Sequence, residues 1–178
     1  MSDEPGAETL GTPQEDALTK GTPIGAARRI AENPCIVNEN DDLRQVAEAL
    51  SVHRRAHTVA VVNAAGTLVG IIPLHLLVDE LFLQVAPEEF LAEILNRERL
   101  EEYGRMVRAG VARDLMLEPV FVTVEDTIGD AFARMHDHNL EGLPVVDAKR
   151  CPTGYLDRLE LIKVWLEGHQ SRDHSPSA

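Results

Sequence analysis

Two stretches of this chain carry the same order of apolar and polar positions. Leu143-Pro144-Val145-Val146 is a short apolar run closed by Asp147; after a polar turn Gly154-Tyr155-Leu156 forms a second run, which ends where Asp157-Arg158-Leu159-Glu160 begins a helical pattern. Short apolar runs bounded by turn residues read as buried strands, and acidic residues before an apolar periodicity read as a helix N-terminus. An upstream copy runs Val59-Ala60-Val61-Val62-Asn63, a turn at Ala64-Ala65-Gly66, then Gly70-Ile71-Ile72-Pro73-Leu74-His75-Leu76. Each copy predicts strand, turn, strand, helix.

The likeness extends towards the N-terminus of each copy. Gly25 to Val37 lies over Gly110 to Val122 with Gly, Ala, Arg, Pro and Val in step, and Asp41-Asp42 then lies over Asp126-Thr127. Asp42 with Gln45, and Thr127 with Asp130, have the spacing of a capping box, so a helix starts after each. Leu43, Val46, Ala47 and Leu50 repeat at helical spacing, as do Ile128, Ala131, Phe132 and Met135. Beyond these helices the register slips by one residue, the first copy carrying an extra position within Val52 to His57. The pattern predicts an α+β protein of two β-α-β-β-α repeats, at residues 25–84 and 110–168, packed as a pseudo-symmetric pair. A unit of roughly 55 to 60 residues that leaves one sheet face uncovered is marginal alone, which favours such pairing.

Residues 85–109 read as a helical insert, with Pro87 at a first helical position and Phe90, Leu91, Ile94 and Leu95 at helical spacing. Residues 1–24 and 169–178 lack apolar periodicity and read as disordered tails. With 44% hydrophobic and 26% charged residues among 178, the chain has enough apolar material for a core. A formal charge of −13 and 4% aromatics argue against nucleic acid as a partner, because phosphates need clustered cations and bases need aromatic faces. Cys35 and Cys151 form no CxxC pattern, no signal peptide is visible, and the apolar run Leu68 to Leu83 is broken by Pro73, His75, Asp79 and Glu80. A soluble cytoplasmic protein away from membranes is expected.

The doubled unit, with Asp114-Leu115-Met116 ahead of its first strand, Leu143 to Asp147 in its second and Gly154 opening its third, resembles a tandem pair of cystathionine-β-synthase (CBS) domains, the Bateman module. The resemblance implies a regulatory module, usually dimeric, whose clefts take adenosyl ligands such as AMP, ADP, ATP, adenosine or S-adenosylmethionine. It also implies a Gly-x-x-Thr/Ser-x-x-Asp signature, in which the Asp accepts from the ribose hydroxyls and the hydroxyl residue sits near phosphate. Both copies depart from that signature. The first has Pro73 and Leu76 at those positions; the second has Asp157 and Glu160. Glu160 keeps the means to accept from a diol, whereas Asp157 puts a negative charge where phosphate would come, so a nucleoside is expected to fit better than a nucleotide. A purely structural role for both, charging the first turn of a helix, is the competing expectation.

On this resemblance the ligand-binding candidates are Val120, Phe121, Val122, Leu143, Pro144, Asp157 and Glu160, with Arg54, Arg55 and His57 as candidate phosphate contacts. The alternative for Arg54, Arg55 and His57 is a solvated helix end. His53 and His57, with His136 and His138, lack the Cys or Glu companions of zinc sites, so no metal is expected. No nucleophile elbow, phosphate loop or catalytic triad pattern occurs, which argues against an enzyme. Leu74 to Leu83 and Leu159 to Leu166 are apolar on more than one helix face, which predicts a homodimer through these helices. The functional expectation is a stand-alone regulatory module sensing an adenosyl ligand in the second cleft and acting on a regulated protein. The alternative is a degenerate, ligand-free pair serving dimerisation and protein interaction.

Overall fold

The computed structural model describes residues 19–26, 33–85, 110–163 and 166. The expected insert beyond Val85, the C-terminal tail and most of the N-terminal tail lie outside the described residues.

In repeat 1, β1 (Ile36–Asn38) leads to α1 (Leu43–Val52), β2 (Thr58–Val62), β3 (Leu68–Pro73) and α2 (Leu74–Val85). A short helix α3 (Ala112–Leu115) precedes repeat 2, which runs β4 (Val122–Thr123), α4 (Ile128–Asp137), β5 (Gly142–Val146), β6 (Pro152–Asp157) and α5 at 158–163. Two three-stranded sheets result, ordered β1-β2-β3 and β4-β5-β6. In each, the first pair is parallel and the second antiparallel. The middle strands β2 and β5 are buried along their whole length, which is why their sequences run apolar without alternation.

The helix starts follow the capping chemistry. The Asp42 carboxylate accepts from the Gln45 amide at 2.8 Å and the Gln45 side chain accepts from the Asp42 amide at 2.9 Å. The Thr127 hydroxyl accepts from the Asp130 amide at 3.2 Å, and the Asp130 carboxylate from the Thr127 amide at 2.9 Å. Each cap contributes about 1 kcal/mol to its helix. The one-residue slip is visible in strand pairing, since Val37 pairs with Val61 as Val122 pairs with Val145.

Each repeat has its own core. Leu43 and Val46 of α1 meet Val59, Val61, Ile72 and Leu77; Ile128, Ala131 and Met135 of α4 meet Leu143, Val145 and Leu156. Between the sheets lies a third cluster of Ala60, Leu68 and Val146, with half-buried Phe121 against it. Phe132 departs from the expected buried face: it is 56% exposed and stacks on His136 at 6.2 Å between ring centroids. Its position falls at the margin of an apolar stripe that Ile128, Ala131 and Met135 already fill; small Ala47 tucks under the same margin in repeat 1.

The segment just before each repeat binds the other repeat. Ile24 and Gly25 donate to the Asp126 and Val124 carbonyls at 2.9 and 2.8 Å, while Ala112 and Arg113 donate to Asp41 and Glu39 at 2.8 and 2.9 Å. Ile24 is buried in the core of repeat 2, although it falls within the segment expected to be a disordered tail. These bonds make Ile24 the counterpart of Ala112 and Gly25 that of Arg113, so the alignment of Gly25 with Gly110 does not describe this segment. The connection from strap to β1 is three residues longer than the one to β4, and matching letters conceal the difference.

Candidate functional site

The antiparallel pairing of β5 with β6 sets Gly142 opposite Asp157, Leu143 opposite Leu156 and Pro144 opposite Tyr155. Alternation then sends Leu156 into the core under α4 and turns Tyr155 towards repeat 1. The Tyr155 hydroxyl accepts from the His57 amide at 2.9 Å, and burial pushes its phenol up to about 12. Beside it the Thr58 hydroxyl donates to the Gly142 carbonyl at 2.9 Å. Gly142 is required by this approach, because a Cβ there would collide with the Tyr155 hydroxyl and press on the Leu156 carbonyl.

Asp157 ends β6 and its carboxylate accepts from the Glu160 amide at 3.0 Å, the geometry of a helix N-cap. It is buried and bound to the first turn of α5. The charge expected to oppose a phosphate is thus already held by the chain. Glu160 is 1% exposed and gathers two cations. Its Oε1 accepts from Arg55 Nη2 at 2.9 Å and from Lys163 Nζ at 2.9 Å, and its Oε2 accepts from Lys163 at 2.8 Å. The Arg55 and Lys163 side chains are 48% and 49% exposed, so the cluster runs from a buried acid out to two wetted cations. A carboxylate withdrawn from water needs such partners, since an unpaired buried charge costs several kcal/mol.

The remaining expected residues are placed as follows. Val122 and Leu143 point into the core of repeat 2 and leave only their main chain to a cleft; Val120 packs partly against the same core. Pro144 is buried, and Phe121 packs against the inter-sheet cluster with the Arg150 guanidinium 4.9 Å from its ring centroid. Arg54 is exposed. The His57 main chain bonds Tyr155 and Leu74, while its Nδ1 is buried without a partner among the described residues. The structure therefore brings Arg55, His57, Tyr155, Asp157 and Glu160 together. Lys163 was not foreseen in the site, although it follows Glu160 at i+3, a readable pairing.

In the first copy Pro73 ends β3 and Leu76 packs partly into the core of repeat 1. No acid stands at either position.

The family model for the CBS domain matches residues 24–83 and 112–167. The chain belongs to the CBS-domain family, as a tandem pair. Among curated proteins, no sequence matches this CBS pair. Its fold is similar to that of a CBS domain-containing protein of Thermotoga maritima, at 23% identity and a TM-score of 0.63, covering 81% of this chain and 94% of that one. It is also similar to CBSX2 in complex with AMP, at 22% identity and a TM-score of 0.60 over 84% and 99% of the two chains. The CBS pair of protein MJ0100, in complex with 5′-methylthioadenosine and S-adenosyl-L-methionine, matches at 17% identity and a TM-score of 0.59, covering 81% and 99%. Among the described residues, no helix is long and apolar enough to cross a membrane.

Proposed function

We propose that this CBS pair is a regulatory module rather than an enzyme, and that its second cleft takes an adenosyl-type ligand whose ribose diol is accepted by Glu160. The observation that carries this reading is the Arg55–Glu160–Lys163 cluster: an acid at the family's ribose position, joined to a cation of the other repeat. Structural neighbours in complex with AMP, and with 5′-methylthioadenosine and S-adenosyl-L-methionine, support the ligand class. Arg54, Arg55 and His57 lie in the connection that would meet a phosphate. Ligand binding there shifts how the repeats sit together and so the surface offered to a regulated protein in the cytoplasm.

Thermal-shift and calorimetric titrations with AMP, ADP, ATP, adenosine and S-adenosylmethionine test the reading. At least one should raise Tm, and Glu160→Ala should abolish the rise. No stabilisation by any of them at about millimolar concentration would overturn it.

The pair acts as a homodimer through exposed apolar residues such as Val78 of α2 and Leu159 and Ile162 of α5. Native mass spectrometry should show a dimer, and Ile162→Glu should shift it to monomer. A second reading, a closed and ligand-free pair serving dimerisation and protein interaction, is favoured by Tyr155, which is buried and tied across the repeats to His57. Under that reading every titration is silent while the dimer persists.

A further inference from the structure

The outer side of α4 breaks the pseudo-symmetry of the repeats. Along it stand Gly129, Phe132, Ala133 and His136, at i, i+3, i+4 and i+7; the matching positions of α1 are Arg44, Ala47, Glu48 and Ser51. In α1 the stripe is wetted and closed by its own ion pair, Arg44 Nε to Glu48 Oε1 at 2.9 Å. In α4 it holds no Lys, Arg, Asp or Glu, and the exposed Phe132 ring stacks on His136 with the planes 12° apart. Arg134 is turned away, onto Asp126 and the Phe121 carbonyl. Loss of charge and gain of aromatic surface distinguish a contact face from the rest of a protein's exterior. The stack also holds Phe132 in place beforehand, which lowers the ordering cost of an association.

The charges at the two ends of this face select its occupant. Lys20, whose carbonyl accepts from the Gly129 amide at 2.7 Å, and Glu125 are exposed at the start of α4; His136 and Asp137 are exposed at its end. We propose that α4 docks antiparallel on α4 of a second copy of this chain, across a two-fold axis beside Phe132 and Ala133 at the middle of the helix. Lys20 then meets Asp137 of the second copy and Glu125 meets its His136, each contact made twice by symmetry. A parallel pair would set each of these charges against its own like. The two Phe132 rings come together on one side of the axis and the two Ala133 side chains on the other. The same copy covers the exposed apolar residues of α5, because α5 starts where α4 ends: Arg158 donates to the Met135 and Leu140 carbonyls at 3.2 and 2.9 Å. Repeat 2 thus lies on repeat 2 of the second copy and not on its repeat 1. This inference rests on the homodimer reading above and adds the helix pair that orients it.

Cysteine cross-linking of the full chain tests it, in a Cys151→Ser background that removes the half-buried native thiol; Cys35 is buried. On mild oxidation Ala133→Cys should run mostly as a disulfide-linked dimer, since the two copies of a residue beside the axis come within disulfide reach. Asp137→Cys should not link, because the helix rise alone sets its two copies about 13 Å apart. Phe132→Glu should weaken dimerisation about tenfold or more in sedimentation equilibrium and leave the far-ultraviolet circular dichroism unchanged, as the ring it replaces is exposed. A dimer in native mass spectrometry in which Ala133→Cys stays unlinked, or links no better than Asp137→Cys, overturns the α4 pairing and leaves the homodimer standing. Phe132→Glu dimerising as wild type does the same. A wild-type chain that is monomeric in native mass spectrometry overturns the homodimer and the α4 pairing together.

Discussion

At the start of α2 the Leu74 amide donates to the His57 carbonyl at 2.8 Å, and at the start of α5 the Arg158 amide donates to the Glu141 carbonyl at 2.9 Å. The main chain does the same thing twice. The side chains do not: Pro73, Leu74 and Leu76 in repeat 1 face Asp157, Arg158 and Glu160 in repeat 2. Arg158 reaches back to the Leu140 and Met135 carbonyls at 2.9 and 3.2 Å, a cation on the C-terminal end of α4 for which Leu74 has no equivalent. Repeat 1 is thus held at this corner by apolar packing and repeat 2 by charge. The backbone and apolar clusters that both copies share maintain the fold, leaving these few positions free to differ in chemistry.

The comparison can be broken most strongly through the cations. Replacing Arg55 and Lys163 together with Ala leaves Glu160 buried and uncompensated; urea unfolding should show a loss of about 2–3 kcal/mol, below the range for fully buried pairs because both cations are half exposed. Next comes Gly142→Ala, which forces a Cβ against Tyr155 and the Leu156 carbonyl and should cost about 1–3 kcal/mol. Its counterpart Thr58 carries a side chain, so Thr58→Ala should be milder, and equal losses would show that the two repeats are not packed differently there. Tyr155→Phe strands the His57 amide and should cost about 1 kcal/mol, with the largest rise in hydrogen exchange at His57.

Glu160→Leu makes repeat 2 resemble repeat 1. It should change stability by less than about 1 kcal/mol, since both cations are half exposed, yet remove any ligand response. The smallest effect concerns acid. Burial tends to raise the Asp126 carboxyl, but the Thr123 amide, Arg134 and the Thr123 hydroxyl outweigh it and hold its pKa below 3.8. A depressed folded-state pKa stabilises above the unfolded value and loses that stability as pH falls through the folded one. The advantage of wild type over Asp126→Asn should therefore be full at neutral pH and be lost as pH falls through the depressed folded-state pKa, in acid titrations followed by circular dichroism.

Much of the fold was legible because its determinants are local. The Asp42–Gln45 and Thr127–Asp130 boxes, the apolar runs of β2 and β5, and the one-residue slip all concern neighbours within one element or connection. The straps were not legible, because Ile24 is buried by the core of the other repeat, far along the chain. The site divided the same way. Glu160 was found from its place after Gly154, and Lys163 sat within reach at i+3. Val122 and Leu143 were placed at a cleft by resemblance; the parity of β4 and β5 turns their side chains inward and leaves their main chain there, and parity fixes a face only once the partner layer is known.

What the sequence by itself determined is the repeated β-α-β-β-α unit, its caps and the loss of acid from the first copy, since each follows from residue spacing. Tertiary structure alone decided that Asp157 is buried as the N-cap of α5 and that Glu160 is held by Arg55. A buried carboxylate takes whichever donors the fold brings within 3 Å, and here the fold supplied one from the opposite repeat.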